Sequence, residues 1–387
     1  MAEQVIIIGN GGAGLAMALA LAKANHQVTI IGAKQAPADR MLGGVQMAAN
    51  GWSALRDLGC YDAVWEYAKR LELMRIMTLS HGHTLVSMPL DEAHQRQPYA
   101  SVTRQGLIKA MSDRALASPF ITHVTAEVTH IESHAAQAVV FDSNEQEYQA
   151  DWVFGADGMM GLCRQYVDGG DIVKPKQASR TAHRFLVPLD HLPAVMASAS
   201  TSVWLGRAGH IVHYPLSNGM LNLVVITHNS INGRTNGHDK CWALAEQLLG
   251  AHPSLDISHP SLAREQAHMM ALQSWPRCDS WVRDRVVVTG DSAHQMPPHL
   301  AQGTGQALID AASLGRCLAD GKTIANAIPQ WAGQRMRRIR AVLASADQAG
   351  AVFAPPPLLS PIRDVMVGLG GMAIMPRILD KIWSDQL

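Results

Sequence analysis

The hydrophobic pattern of the first thirty residues predicts a βαβ unit. Residues 5–8 form a run of apolar, β-branched side chains that ends at a glycine, as expected of a strand buried on both faces of a parallel sheet. Residues 15–24 are rich in alanine, leucine and methionine and predict a helix. A second largely apolar run at residues 27–31 predicts the next strand.

Farther along the chain the pattern changes to short strands separated by turn residues. This spacing favours an antiparallel sheet, with strands at residues 183–187, 202–205, 210–214 and 221–227. Helices are predicted at 104–117, 239–249, 302–318 and from 325, and an apolar tail follows at 365–375. We therefore expect an α/β fold with four parts: residues 1–178, with a small insertion at about 71–100, then 179–275, 276–345 and a helical tail, 346–387.

Three glycines lie between the first predicted strand and the first helix, in the pattern Gly9-x-Gly11-x-x-Gly14. Gly9 permits a tight turn, Gly11 lets backbone N–H groups approach a diphosphate, and Gly14 lets helix and strand pack closely. The helix N-terminus adds partial positive charge. The pattern predicts a nucleotide site that also includes Gly12 and Ala13.

The usual acidic partner of this fingerprint is missing. An acid at the end of the second strand normally binds the ribose hydroxyls, but this strand ends at Gly32. Either another residue binds the ribose or the cofactor is bound more weakly than usual. A third interpretation, that the glycines serve no nucleotide, also gains weight.

Composition narrows the possible partners. The 387 residues carry no net charge, and 48% are apolar, so nucleic acid and membrane are poor candidates. The five cysteines include no C-x-x-C pair, which argues against disulfides and a zinc site and suits a cytoplasmic protein. No metal is predicted. G-x-S-x-G and H-E-x-x-H are absent, so a hydrolase is not supported.

Two further motifs carry a family resemblance. Gly155-Ala156-Asp157-Gly158 followed by Arg164, and the segment 286–305 with its Gly290-Asp291 pair, resemble the DG and GD motifs of the flavoprotein aromatic hydroxylases. Arg104 and Leu107 match the R-x-x-L element. The family includes salicylate hydroxylase and 6-hydroxynicotinate monooxygenase. Gly161 stands where the family commonly has serine, and we expect little consequence.

The resemblance implies a glutathione-reductase-like, Rossmann-type FAD domain with an antiparallel-sheet substrate domain. It assigns Asp291 to the ribityl hydroxyls, Arg104 to the phosphate or ribityl region, and Asp157 to the neighbourhood of the diphosphate and the nicotinamide route. Pro298 would lie beside the reactive flavin face. The remaining cofactor residues it implies are Gly44, Val45, Gln46, Gly290, Gly303, Thr304 and Gly305, the last three facing the N1–C2=O edge, where a helix N-terminus stabilises negative charge.

The resemblance also implies the chemistry. NADH or NADPH reduces the flavin, O2 adds at flavin C4a, and the hydroperoxide hydroxylates a small aromatic or N-heteroaromatic substrate similar to a phenolic acid. The protein positions the ring, excludes water and tunes protonation. A nearby His or Tyr that relays the phenol proton would help.

Candidates for that relay lie on the strand 210–214. His210 and Tyr214 share one face of this strand, whereas His213 points to the other. We predict His210 and Tyr214 as the catalytic pair, together with Pro298; a structural role for either is the alternative. His294 fits the cofactor shell better than a base, and His299 is a weaker substrate-facing candidate.

Other interpretations keep the FAD fold. A flavin-dependent halogenase is one, although its W-x-W-x-I-P element is absent. Two further interpretations are another FAD oxidoreductase of the same fold and a degenerate FAD-binding protein without turnover. The apolar tail is too short to span a bilayer and is expected to pack on the core or on a second subunit in a homodimer.

Overall fold

The computed structural model describes residues 2–32, 42–90, 98–170, 174–207, 209–228, 230–231, 234–235, 238–353, 355 and 359–384. The strands in chain order are β1 (Gln4–Ile8), β2 (Gln27–Gly32), β3 (Gly44–Met47), β4 (Ala68–Arg70), β5 (Leu73–Thr78), β6 (Thr84–Pro89), β7 (Ala100–Thr103), β8 (Ile121–Thr125), β9 (Val128–Ser133), β10 (Ala138–Asp142), β11 (Glu147–Ala150), β12 (Trp152–Gly155), β13 (Lys176–Pro188), β14 (Ser200–Leu205), β15 (Gly209–Pro215), β16 (Met220–His228), β17 (Ser230–Ile231), β18 (Arg234–Thr235), β19 (His268–Ser274), β20 (Val282–Arg283) and β21 (Val286–Val288). The helices are α1 (Gly12–Lys23), α2 (Ala49–Asp57), α3 (Tyr61–Trp65), α4 (Arg104–Leu116), α5 (Leu162–Val167), α6 (Ala194–Ala197), α7 (His238–Gly250), α8 (Asp291–His294), α9 (Gly303–Leu318), α10 (Ile324–Phe353) and α11 (Ser360–Trp383).

A six-stranded sheet forms the centre of the first region, in the order β20-β21-β12-β1-β2-β8. Five of its strands are parallel, and β20 pairs antiparallel with β21. The β1 residues Val5 to Ile8 are buried, because α1 and the three-stranded sheet β11-β10-β9 both pack against β1. Helix α1 packs against both α9 and α4, which explains why most of its side chains are apolar.

A seven-stranded sheet forms the second region, in the order β19-β13-β16-β15-β14-β5-β6. The strand pair β5–β6 comes from the predicted insertion and joins this sheet through a parallel pairing with β14. The outer face packs with Leu248 of α7 in one apolar cluster that includes Phe185, Trp204 and Leu223. The inner face contributes Tyr214 and Leu205 to a different cluster. Successive side chains of one strand therefore belong to separate cores.

The C-terminal helices close the molecule. Residues Leu379 and Trp383 of α11 are buried in the inner-face cluster, and a Cβ on Gly371 would lie 2.5 Å from Val86 of β6. Helix α11 also exposes Val365, Met366 and Leu369. Among the described residues, no helix is long and apolar enough to cross a membrane.

Candidate cofactor and substrate site

A cleft of about 860 Å³ opens beyond the carboxyl ends of the parallel strands. Ligands of open α/β sheets bind at this position, and the volume falls within the range of about 300–1,000 Å³ typical of small-molecule and cofactor sites. Predicted residues that line it are Gly9, Gly11, Gly12, Ala13, Val45, Arg104, Asp157, Asp291, Gly303 and Thr304.

The fingerprint glycines meet different constraints. Gly9 has a φ of +109°, and a Cβ on it would lie 2.4 Å from the carbonyl oxygen of Ala156. A Cβ on Gly14 would lie 1.9 Å from the Gly9 carbonyl oxygen, whereas one on Gly11 would meet nothing within 4 Å. Gly9 and Gly14 are therefore required by the fold itself. Gly11 leaves room in the cleft for a ligand to approach the backbone.

Two helix N-termini border this cleft, those of α1 at Gly12 and of α9 at Gly303. Each presents backbone N–H groups that have no partner within the helix, together with the positive end of its dipole. The cleft therefore favours a ligand with two separated electron-rich parts, as the diphosphate and the isoalloxazine edge of FAD are.

Arg104 supplies positive charge between these helices. It is the first residue of α4, whose Thr103 cap accepts a hydrogen bond from Gly106 N. Arg104 lines the cleft, and its Nε is buried without a hydrogen-bond partner. A buried donor of this kind fits an anionic or polar ligand group. The residues present thus fit FAD.

The remaining predicted cofactor residues lie behind or beside the cleft lining. Gly14 and Gly305 are buried in α1 and α9, Gly44 and Gln46 lie on β3, and Pro298 begins the 3-10 turn Pro298–Leu300. Gly290 has a φ of +59°, and a Cβ on it would lie 2.7 Å from the Ala13 Cβ. These residues shape the cleft without lining it.

A buried carboxylate holds the Gly290-Asp291 turn in place. Asp310 Oδ2 accepts hydrogen bonds from Gly290 N (3.1 Å) and His294 Nε2 (2.6 Å), and Asp310 Oδ1 accepts one from Arg335 Nε (2.8 Å). Burial alone would raise the pKa of Asp310, but His294 and Arg335 hold that pKa at about 2. His294 is therefore part of a structural network that positions Asp291.

A second network joins the DG and GD motifs. Asp157 Oδ1 accepts a hydrogen bond from Ser292 Oγ (3.0 Å), and Ser292 Oγ accepts one from Gly158 N (2.8 Å). A Cβ on Gly161 would lie 2.0 Å from the Asp157 Cγ. Glycine at this position thus makes room for the Asp157 carboxylate, and a serine there would displace it.

The inner face of the antiparallel sheet brings the catalytic candidates together. His210 and Tyr214 both point to this face, with Val212 between them. Four residues along a strand separate their Cα atoms by about 13 Å. His213 lies on the outer face, where its Nε2 accepts a hydrogen bond from Trp204 Nε1 at 2.9 Å.

Tyr214 is fixed against the segment that leads from the cleft to the sheet. Its hydroxyl donates a hydrogen bond to the Gly44 carbonyl (3.0 Å), and Gly44 N donates one to Asn222 Oδ1 (3.3 Å). Burial raises the pKa of Tyr214, and the charges of Arg184 and Arg104 oppose part of that rise. The hydroxyl is therefore protonated at neutral pH, and its oxygen can accept a further hydrogen bond.

His210 lies at the other end of the face. Its ring centroid is 6.1 Å from that of His299 and 5.5 Å from that of Phe353. Arg180 Nη1 contacts His299 Nε2 at 2.6 Å. Burial, followed by the charges of His299 and Arg180, lowers the pKa of His210 well below its usual value. His210 is thus neutral at neutral pH.

Arg184 is a charged side chain among the apolar residues of this face. Its Nε is buried without a hydrogen-bond partner, and its Cδ lies 2.9 Å from the position of a Cβ on Gly43. Burial and the positive charge of Arg104 lower the pKa of Arg184. No Asp or Glu occupies an inner-face position of β13, β14, β15 or β16 in the part of the chain described.

Comparison with known proteins identifies the family. Residues 2–336 match the family described as FAD binding domain. The chain belongs to the family of FAD-dependent aromatic hydroxylases that share this domain. It is 27% identical over 362 residues to the 3-hydroxybenzoate 6-hydroxylase of Klebsiella oxytoca, covering 90% of this chain and 88% of that one. It is 28% identical over 427 residues to the salicylate hydroxylase of Pseudomonas putida, covering 100% and 92%.

Comparison with solved structures supports the fold. Klebsiella pneumoniae HpxO complexed with FAD and uric acid superposes with a TM-score of 0.84 at 20% identity, covering 98% of this chain and 96% of that one. The predicted family, the FAD cofactor and the α/β fold with its antiparallel sheet and C-terminal helices are confirmed. The individual residue roles stay predictions.

Sequence reasoning missed several residues that the structure brings to the site. Asn10, Gly32 and Glu127 line the cleft. Tyr99 donates a hydrogen bond to Gln46 Oε1 at 3.0 Å, beside the Gly44 segment. Arg184 carried a signal that could have been used, since it is a charged residue inside a predicted buried strand.

Proposed function

We propose that this enzyme hydroxylates a small aromatic or N-heteroaromatic ring that carries an acidic group, with NADH or NADPH and O2 as co-substrates. The observation that carries this proposal is the inner sheet face, which presents Arg184, His210 and Tyr214, while the described residues of β13, β14, β15 and β16 include no Asp or Glu. Bound FAD would supply the oxygen-activating chemistry. Cytoplasmic location remains our expectation, and the five cysteines, all free, are compatible with it.

The spacing of the polar groups limits the substrate. About 13 Å of strand separates His210 from Tyr214, and Val212 lies between them on the same face. A single ring with polar substituents at opposite ends can lie on Val212 and reach toward both side chains. Polar groups placed at the ends of an apolar surface fix the orientation of such a ligand.

Tyr214 and His210 would act on the protons of that ring. Tyr214 donates its own proton to Gly44, so its oxygen is oriented to accept a hydrogen bond from a substrate hydroxyl. His210 is neutral and can take up a proton, and a bound anion would raise its pKa by offsetting Arg180 and His299. Removing the phenol proton makes the ring a better nucleophile.

Arg184 would recognise the acidic group. The Arg184 side chain is half-buried, and its Nε is buried without a hydrogen-bond partner. Such a donor gains from a bound carboxylate, because the pair offsets the desolvation of each charge. This assignment predicts selectivity for anionic rings over neutral ones of the same shape.

The test uses the purified flavoprotein. Its visible spectrum is recorded, and NAD(P)H oxidation and O2 uptake are measured with a panel of hydroxylated aromatic acids and their matched amides. We expect acids to stimulate turnover and amides to fail, and Arg184→Met to raise the KM for the acid roughly 10- to 100-fold. A flavin-bound protein inert to every ring would instead favour a protein without turnover.

A further inference from the structure

We propose that Glu127, assisted by Asn10, binds the adenosine ribose of FAD in place of the acid that is missing at Gly32. The inference rests on the FAD cofactor and not on the identity of the substrate. It concerns the end of the cleft that lies beyond β2 and β8.

Gly32 is required by its surroundings. A Cβ on this residue would lie 2.8 Å from Asn10 Cγ, 3.0 Å from Asn10 Cβ and 3.1 Å from Asn10 N. The Asn10 side chain therefore occupies the space from which an acid at the end of β2 would extend. A larger residue at position 32 would have to displace Asn10.

Asn10 itself lies at the cleft, within the fingerprint between Gly9 and Gly11. A carboxamide offers both a carbonyl acceptor and an N–H donor, so it can bond a hydroxyl in either direction. It lacks the negative charge that makes hydrogen bonds to a carboxylate strong. The site therefore needs a carboxylate from elsewhere.

Glu127, which follows the neighbouring strand β8, supplies that carboxylate. Gly32 pairs with Thr125 of β8, and Ala126 N donates a hydrogen bond to the Gly32 carbonyl at 3.2 Å. Glu127 is the next residue, and its side chain is exposed at the cleft. It thus lies within two residues of the position paired with Gly32.

Sheet order decides which part of FAD this residue meets. Among the described residues, three acidic side chains line the cleft: Asp157, which follows β12, Asp291, which follows β21, and Glu127, which follows β8. The first two lie on one side of β1, and Glu127 lies on the other side, beyond β2. The α1 N-terminus after β1 holds the diphosphate in this fold. Glu127 is therefore on the adenosine side, away from the flavin.

The test measures cofactor affinity, not turnover. Apoprotein is titrated with FAD, with FMN, which lacks the adenosine, and with an FAD analogue whose adenosine is 2′-deoxy, and binding is followed by flavin fluorescence. Glu127→Gln should raise the FAD dissociation constant about tenfold and leave that for FMN unchanged. Asn10→Ala should have the same selectivity with a smaller effect.

The deoxy analogue tests the contact directly. Native protein should bind it more weakly than FAD, and this difference in affinity should shrink in Glu127→Gln, because a neutral amide is a weaker hydrogen-bond acceptor than a carboxylate. Glu147→Gln, which removes an exposed carboxylate on β11, is the matched control and should bind all three ligands as the native chain does.

Native FAD affinity in Glu127→Gln, or equal weakening of FAD and FMN, would overturn the proposal. If Glu127→Gln does not fold, the native chain alone still decides, since equal affinity for FAD and the deoxy analogue excludes the contact with the ribose 2′-hydroxyl that the proposal requires. A flavoprotein that binds FAD normally but responds to no aromatic acid contradicts the proposed function and leaves this inference intact.

Discussion

The cofactor cleft and the inner face of the antiparallel sheet are built in opposite ways. Backbone and glycines make the cleft: Gly9 and Gly14 have no room for a side chain, and two helix N-termini supply the charge. Side chains make the inner face, where Arg184, His210 and Tyr214 come from separate positions on two strands. The first site depends on positions such as Gly9 and Gly14 that have no room for a side chain, whereas the second is assembled from side chains on separate strands.

The largest effect is expected where a glycine of the cleft has no room for a side chain. Gly14→Ala would push a Cβ into the Gly9 carbonyl, so we expect it to destabilise the apoprotein by about 1–3 kcal/mol and to abolish FAD retention. Gly11→Ala is the matched control for stability, because its Cβ meets no protein atom within 4 Å. It should keep the melting temperature and weaken FAD binding at least about tenfold.

These two variants are compared by thermal melts of the apoprotein and by FAD titration. Equal melting temperatures for both would contradict the division between glycines required by the fold and glycines required by the ligand.

An intermediate effect is expected on the inner face. Tyr214→Phe removes the hydroxyl and its bond to Gly44, so we expect hydroxylation to slow about 100-fold and NAD(P)H oxidation to release peroxide, with FAD affinity nearly unchanged. Product formed per NAD(P)H consumed is the measurement. Tyr166→Phe, which loses its hydrogen bond to Asp284 far from this face, is the control, and native coupling in Tyr214→Phe would remove Tyr214 from the mechanism.

The smallest effect on activity is expected on the outer face, three residues from His210. Burial lowers the pKa of His213 to about 3 and that of His252 to about 4. As the pH falls, these two histidines therefore bind protons in the unfolded chain first, at the ordinary histidine pKa of 6.5. Their neutral forms contribute fully to the free energy of unfolding above pH 6.5, and this contribution is lost as the pH drops toward 4.

His213→Gln keeps an acceptor for Trp204 and removes one titrating group. The free energy of unfolding, measured with denaturant between pH 6.5 and 4, should depend less steeply on pH in this variant, by up to about 1.4 kcal/mol per pH unit. Activity at pH 8 should be unchanged. His130→Gln, at an exposed histidine, should leave the slope as in the native chain. Activity loss in His213→Gln at pH 8 would place His213 in the site after all.

The prediction from sequence succeeded where the chemistry is contiguous. The strand, glycines and helix of the first fingerprint are neighbours in the chain, so their spacing predicts a nucleotide site. Gly290 and Asp291 are also neighbours, and their resemblance to the GD motif implies FAD. Alternation along residues 210–214 likewise separated His210 and Tyr214 from His213, because successive side chains of a strand point to opposite faces.

Contacts between distant segments were decided only by the tertiary structure. Residues Asp310 and Arg335 are far from Gly290 in sequence yet hold its turn, and Arg180 reaches His299 across 119 positions. From the sequence, Gly32 is only the position where the fingerprint lacks its acid. The structure shows that Asn10 packs against Gly32 and that Glu127 lines the same cleft. Short-range periodicity determines which face a residue occupies, whereas long-range packing determines what that face meets.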